Sequence, residues 1–258
     1  MTGAAAIPRV ALVTGAAKRI GRAIALDLAA HGWMVAVHCH RARAEAAATV
    51  AEIRAAGGAA EVFPADLAQE ADVAGLLPAV VERFGPPGLL VNNASAFERD
   101  RIGDATRASW DAHIEVNLRA PFVLCQALAH HLPSGADGVI VNLLDQRVWN
   151  PTGDFVSYTL SKAGLWTLTQ TLALALAPRI RVNGIGPGPT VPSPRQTREQ
   201  FEAQWNAMPL GRGTTPEEIA AAVRFILAAP AMTGQMIALD GGQHLCWAPP
   251  ARGLALPE

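Results

Sequence analysis

Tyr158 and Lys162 stand four residues apart in YTLSK, and Asp145 lies thirteen residues upstream of the tyrosine. The Leu- and Ala-rich run from Phe155 to Ala177 predicts a helix, in which a four-residue step puts the phenol and the ammonium on one face. A proton donor and a cation can then act on one substrate. An unperturbed tyrosine has a pKa of about 10 and holds its proton at neutral pH. An ammonium about 4 Å away, at an effective dielectric near 20, offers about 4 kcal/mol, roughly three pKa units before the lysine's own desolvation is counted. That is enough to bring Tyr158 toward the range of a working acid.

Such a pair needs a partner molecule to reduce or oxidise its substrate, and the N-terminal segment supplies a place for one. In VALVTGAAKRIGRAIALDLA a glycine turn (Gly15, Lys18, Arg19, Ile20, Gly21) joins a strand to an amphipathic helix. Backbone N–H groups and the positive helix end can approach a pyrophosphate there. At the end of the second strand a carboxylate would bind the 2′-OH of NAD and repel a 2′-phosphate. The chain has His38-Cys39-His40-Arg41 instead, with Lys18 and Arg19 in the neighbouring turn, so charge favours NADP or NADPH. Together the two sites read as a hydride-transfer enzyme acting on a small-molecule substrate.

Short apolar runs predict seven strands at Val10–Thr14, Trp33–His38, Ala60–Pro64, Leu89–Asn92, Val139–Leu143, Ile180–Ile185 and Met236–Leu239. Helical segments separate them: one carrying Ile20, Ile24 and Leu28, then Glu45–Ala56, Asp72–Phe84, Ala108–His131, Phe155–Ala177 and Pro216–Leu227. This alternation predicts an α/β fold with a mostly parallel sheet covered by helices on both faces. No composition shift divides the 258 residues, so a single domain is expected. The longest stretch outside a clear βα unit, about 190–212, is expected to form a lid over the substrate. The tail after Gly242 is expected to end in disorder or to pack on a neighbouring subunit.

The formal net charge of -1 with no basic stripe argues against nucleic acid as a partner. No run is long and apolar enough to predict a membrane span, and the first residues lack a targeting pattern. Cys39, Cys125 and Cys246 are widely spaced and odd in number, which predicts neither a disulfide framework nor a zinc site and fits a reducing cytoplasm. His130 and His131 read as a helix end, with no third ligand for a metal.

TGAAKRIG, Asp66-Leu67, VNNAS, VNL with Asn117, YTLSK, RVNGIGPGPT and LDGG occur in that order between Val10 and His244. In this the chain resembles the short-chain dehydrogenase/reductase family, classical type, which implies a Rossmann fold. The resemblance implies that Asp66 and Leu67 flank the adenine, that Asn93 and Ala94 meet the adenosine ribose, and that Pro187, Gly188 and Thr190 lie on the nicotinamide side. It further implies that Lys162 bonds the nicotinamide ribose beside Tyr158, and that Asn117 breaks its helix so that its carbonyl holds a water leading to the lysine. A homotetramer built through two long helices and C-terminal strands is also implied.

Two departures narrow the resemblance. Arg19 takes the place of the usual middle glycine of the turn, and Asp145 takes that of the usual catalytic serine. With RIG, His38 to Arg41 and NASAF, these look like pteridine reductases and the related dihydromonapterin and dihydrofolate reductases. That subgroup implies that Arg19 reaches cofactor phosphate and pterin, that Phe97 stacks on the pterin, and that Ser95 touches both ligands.

Alternatives stay open at this point. Asp145 either serves a ring nitrogen together with Tyr158 or pairs structurally with Arg147 or Lys162. Phe97 either meets the substrate or belongs to the core, and Phe201 and Trp205 either face the substrate or pack a helix. The competing functions are a reductase of ketones or 3-oxoacyl compounds and a redox-inactive NADP-binding sensor.

Overall fold

In the computed structural model, residues 6–193 and 195–246 are described; the tail from 247 onward, and with it most of the expectation for that segment, lies outside the described residues. The seven apolar runs form strands β1 (Val10–Val13), β2 (Met34–Cys39), β3 (Ala60–Pro64), β4 (Leu89–Asn92), β5 (Gly138–Leu143), β6 (Ile180–Pro187) and β7 (Met236–Leu239). They make one sheet in the order β3-β2-β1-β4-β5-β6-β7, and every pairing is parallel. Parallel strands need crossovers, and helices supply them. The expected single-domain Rossmann architecture is the one observed.

The helices are α1 (Arg19–Ala30), α2 (Arg43–Ala55), α3 (Glu70–Phe84), α4 (Arg107–Ile114), α5 (Ala120–His131), α6 (Val156–Ala175), α7 (Arg198–Asn206) and α8 (Pro216–Ala228). Ile24 and Leu28 of α1 pack with Ile53 of α2 and Val223 of α8 against one face of the sheet. Leu77 of α3, Leu124 and Leu128 of α5 and Ala173 of α6 cover the other. Because both faces are covered, alternate residues along a central strand are all buried, as Ala11, Leu12 and Val13 are.

Two expectations need correction. Periodicity alone predicts one helix over Ala108–His131, but α4 and α5 are joined by a π-helical turn, Glu115–Arg119, at the place where the resemblance implies a break at Asn117. Asn117 lies in that turn, fully buried, and the wider turn lets its side chain reach a loop instead of the helix surface. The stretch 190–212 is not simply a loop either, since it contains α7. Thr197 and Gln200 form a reciprocal capping box at the start of α7. No helix among the described residues is long and apolar enough to cross a membrane.

Candidate active site

Since all strands run parallel, their carboxyl ends share one edge of the sheet, and a cleft opens there beside β1 and β4, where the strand order reverses. Its volume is about 1100 Å³. Every residue expected at the site lines it except Asn117.

The glycine turn forms its floor. Gly15 has φ +63, and a Cβ at Gly21 would lie 2.3 Å from the Gly15 carbonyl oxygen, so neither position accepts a side chain. Arg19, where the resemblance led one to expect glycine, keeps the left-handed backbone at φ 58. Lys18 at the start of α1 makes no side-chain cap and the first turn holds no acidic residue. The helix thus presents uncompensated N–H groups and its positive end to the cleft.

The structure corrects the charge assigned to His38. Only 2% exposed, its Nδ1 accepts from the Gly15 N–H at 3.0 Å and its Nε2 lies 3.2 Å from the Ala65 carbonyl. An amide can only donate, so Nδ1 is bare and the ring is neutral. Burial pushes its pKa down to about 4. His38 braces the glycine turn, and the cations at this end of the cleft are Lys18 and Arg41, with His40 standing 3.5 Å from Asp66. Arg19 also points elsewhere: its guanidinium donates to the Pro192 carbonyl at 2.7 Å and the Val191 carbonyl at 3.2 Å, tying the turn to the segment after β6.

A measurable consequence follows from the direction of the His38 shift. The folded pKa lies below the unfolded 6.5, so the native state binds fewer protons. Its contribution is therefore complete above pH 6.5 and is lost as pH falls toward 4. The loss reaches about 3 kcal/mol by pH 4. Urea unfolding at pH 7 and pH 4.5 is expected to show a smaller drop for His38→Gln than for the parent chain. Equal drops would remove His38 from the acid response.

On the opposite wall, β5 and α6 bring the chemical groups together. The Tyr158 hydroxyl donates to Asp145 Oδ2 at 2.9 Å, and Asp145 Oδ1 accepts from the Arg147 amide at 2.8 Å, capping a short 3-10 turn, Gln146–Val148. The carboxylate is held in register by one oxygen and meets the phenol with the other. Its link to Arg147 runs through the backbone.

Lys162 Nζ, buried, donates to the Leu143 carbonyl at 2.7 Å and lies 5.9 Å from the centroid of the Tyr158 ring. Desolvation pushes the lysine down to about 8, partly opposed by Asp145, so at neutral pH it keeps its charge. Asp145 accepts the phenol's proton in a hydrogen bond, and Lys162 places a positive charge beside the same ring.

The loop after β4 forms the third wall. Asn117 grips it from below: Oδ1 accepts from the Ala96 amide at 2.8 Å, while Nδ2 donates to the Ala96 carbonyl at 2.9 Å and to Ser161 Oγ at 3.0 Å. In this arrangement its side chain positions the loop. Phe97 is half-buried at the cleft and stacks on Phe155, with ring centroids 4.7 Å apart and planes 8° apart, and meets the Tyr158 ring edge-on at 4.6 Å. It is therefore both packed and cleft-facing. The Arg147 guanidinium lies 4.8 Å from the Phe155 centroid.

From the segment before α7, Arg195 pairs with Glu98 at 2.7 Å, donates to the Phe97 carbonyl at 2.8 Å and lies 5.1 Å from the Phe97 centroid. Phe201 lines the cleft, whereas Trp205 packs against Gly213. Sequence reasoning missed Phe155 and Arg195. Phe155 begins α6 with a left-handed φ of 60 and no side-chain cap, so its hint was a helix start without a capping residue. For Arg195 the sequence offers no signal beyond its place in the lid.

Among the described residues no cluster of side chains suits a metal ion, and His130 and His131 merely pack edge to face at the end of α5.

The family profile described as "Enoyl-(Acyl carrier protein) reductase" matches residues 15–244. The chain is 51% identical to the FolM alternative dihydrofolate reductase 1 of Brucella suis, solved in complex with NADP, with a TM-score of 0.90 over 93% of this chain and 96% of that one. It is 36% identical to an uncharacterized oxidoreductase of Methylorubrum extorquens over 91% of this chain and 97% of the relative. It is 34% identical to the 3-oxoacyl-[acyl-carrier-protein] reductase of Synechocystis over 91% and 96%. A switch-point cleft with an open helix end, a Tyr158–Lys162 pair beside it, and likeness of this extent all lead to one assignment: the chain belongs to the short-chain dehydrogenase/reductase family of oxidoreductases.

Proposed function

We propose that the chain is an NADPH-dependent reductase of a pterin or dihydropterin. The observation that carries this reading is the Tyr158 hydroxyl donating to Asp145 at 2.9 Å, with a carboxylate where family resemblance expects a serine hydroxyl. A carboxylate repels negative charge developing on a carbonyl oxygen but attracts a ring nitrogen that is gaining a proton. The likeness to a FolM alternative dihydrofolate reductase supports the same class of substrate. The second reading, reduction of a ketone or 3-oxoacyl substrate, draws on the Synechocystis relative. A sensor without turnover is disfavoured because Tyr158, Lys162 and Asp145 are all in place.

The cleft suits NADP and NADPH, the cofactor of the Brucella suis structure. The uncapped start of α1 fits a pyrophosphate, glycine at 15 and 21 allows close backbone approach, and Lys18 and Arg41 are the cations for a 2′-phosphate. When bound, reduced nicotinamide supplies the hydride that reduces the C=N bond, and the protein supplies orientation and charge. Tyr158 gives its hydroxyl proton to the substrate nitrogen. Lys162 stabilises the phenolate left behind, Asp145 holds the nitrogen side of the ring, and the phenolate regains its proton from solvent after the turnover. Ser95 borders the same space and suits contacts with both ligands, Arg19 reaches them only if its guanidinium leaves the Val191 and Pro192 carbonyls, and Phe97 suits a planar ring.

We extend the reading to a cytoplasmic homo-oligomer, a tetramer by family likeness. In support, Leu160 and Leu174 of α6 and Phe225 of α8 are exposed, edge strand β7 is half-buried, and all three cysteines are free.

Titration is expected to give NADPH at least about tenfold tighter than NADH, with Arg41→Ala removing most of that preference, since a charge-assisted bond contributes about 1.5–3 kcal/mol. A dihydropterin is expected to drive NADPH oxidation. Equal or tighter NADH binding would overturn the cofactor half of the reading. Oxidation driven by a 3-oxoacyl thioester and by no pterin would overturn the substrate half.

A further inference from the structure

Behind the cleft wall runs a chain of buried polar groups that the reaction above does not use. Asp100, His113 and Ser157 are 2%, 0% and 0% exposed. The Ser157 hydroxyl donates to Asp100 Oδ2, the Ser157 amide donates to Asp100 Oδ1 at 3.1 Å, and Ser109 Oγ lies 3.3 Å from Oδ2. His113 Nδ1 lies 2.6 Å from Ser157 Oγ, and its Nε2 accepts from the Glu98 amide at 2.9 Å. Because an amide only donates, Nε2 is bare and the proton sits on Nδ1, pointing at the serine oxygen. Each link in the line from Glu98 through His113 and Ser157 to Asp100 therefore has a fixed direction.

The two ends of this line matter. At one end Asp100 starts the helix that carries Tyr158: its carbonyl accepts from the Phe155 amide at 2.8 Å and its carboxylate from the Ser157 amide. Phe155 itself cannot cap, so these bonds satisfy two of the orphan donors of α6. At the other end Glu98 follows Phe97, whose ring touches the Tyr158 ring. Ser157 immediately precedes Tyr158. Among the described residues, Asn117 holds the same loop below Ala96, Arg195 bonds the Phe97 carbonyl from outside, and Phe97 stacks on Phe155.

We propose that Asp100, Ser157 and His113 are positioning residues, a hydrogen-bonded strut that fixes Phe97 against the turn of α6 bearing Tyr158 and so sets the affinity for a planar substrate. The substrate part of this proposal rests on the pterin reading above; the strut itself does not. Removing His113 leaves the Glu98 amide without its acceptor, and the Phe97–Glu98 backbone is then held by Arg195 at the Phe97 carbonyl, with the ring packing on Phe155 no longer fixed from the Glu98 side. Substrate binding weakens while proton transfer, which belongs to Tyr158, Asp145 and Lys162, stays close to its original rate.

The test uses the full chain. Hydrogen exchange at the Glu98 amide is expected to quicken roughly tenfold or more in His113→Phe, the loss of about one net hydrogen bond, with β4 unchanged. His113→Gln, which keeps an acceptor, is expected to restore part of the protection. For whichever planar substrate the parent chain reduces, KM is expected to rise roughly tenfold in His113→Phe, with kcat and the KM for NADPH within about twofold. Unchanged Glu98 exchange, exchange that quickens equally in β4, or an opened amide with unchanged substrate KM would each overturn the strut. If the parent chain reduces no pterin, the functional reading fails while the exchange measurement still decides the strut. Should His113→Phe not fold, Ser157→Ala frees His113 Nδ1 from its partner, and a smaller rise of about threefold in Glu98 exchange and in substrate KM is expected, with no rise in either overturning the strut.

Discussion

Replacing Tyr158 with phenylalanine is expected to lower kcat by roughly 10² to 10⁴-fold, the range for loss of a positioned general acid, and to leave NADPH binding within about threefold, well under 1 kcal/mol. The variant removes one oxygen and nothing else. Tyr158 is buried on α6 and its ring packs against Phe97 and His113, contacts that phenylalanine keeps. What disappears is the donor to Asp145 at 2.9 Å and the proton for the substrate. Lys162 and Asp145 then remain without an acid between them. Measuring single-turnover rates beside cofactor titration separates chemistry from binding. An unchanged single-turnover rate would show that another group supplies the proton.

Asp145→Ser is expected to lower kcat/KM for a dihydropterin by roughly tenfold to a hundredfold, the equivalent of a charge-assisted hydrogen bond of about 1.5–3 kcal/mol. The same variant is expected to raise kcat/KM for a 3-oxoacyl substrate. Serine is the informative choice because its hydroxyl can still accept from the Arg147 amide and cap the 3-10 turn that Asp145 now caps. The local fold is then kept while the charge is removed. The repulsion between a carboxylate and a developing alkoxide vanishes, and so does the attraction for a protonated ring nitrogen. A parallel fall on both substrates would mean that Asp145 only holds the turn.

Much of this site is legible in the residues themselves. Strands β1 to β7 follow from apolar runs, and a parallel sheet then forces their carboxyl ends onto one edge, so Gly15, Asn93, Asp145 and Pro187 gather without any contact being known in advance. YTLSK placed the phenol and ammonium on one helical face because the spacing matches the helix period.

Other features stayed hidden for stated reasons. His38 read as part of a basic cluster for NADP because it ends a strand beside His40 and Arg41, but a strand covered on both faces buries its polar residues as well. The π turn at Asn117 leaves no mark in a periodicity that continues through it, and the family resemblance alone implied a helix break there. The start of α7 did carry a sign, the Thr197-to-Gln200 capping box, within a stretch whose prolines drew the eye to a loop. The cap on α6 comes from Asp100, 57 residues before Ser157, and the His113 link to Ser157 spans 44. Sequence neighbours do not announce such pairings.

The most direct measurement is a crystal structure of the ternary complex with NADP and a dihydropterin. The expected result has the planar ring beside Phe97, with the Tyr158 hydroxyl and the Asp145 carboxylate both within hydrogen-bond reach of its ring-nitrogen edge. A ring bound away from Tyr158, or a Tyr158 hydroxyl turned out of the cleft while both ligands are in place, would contradict the account.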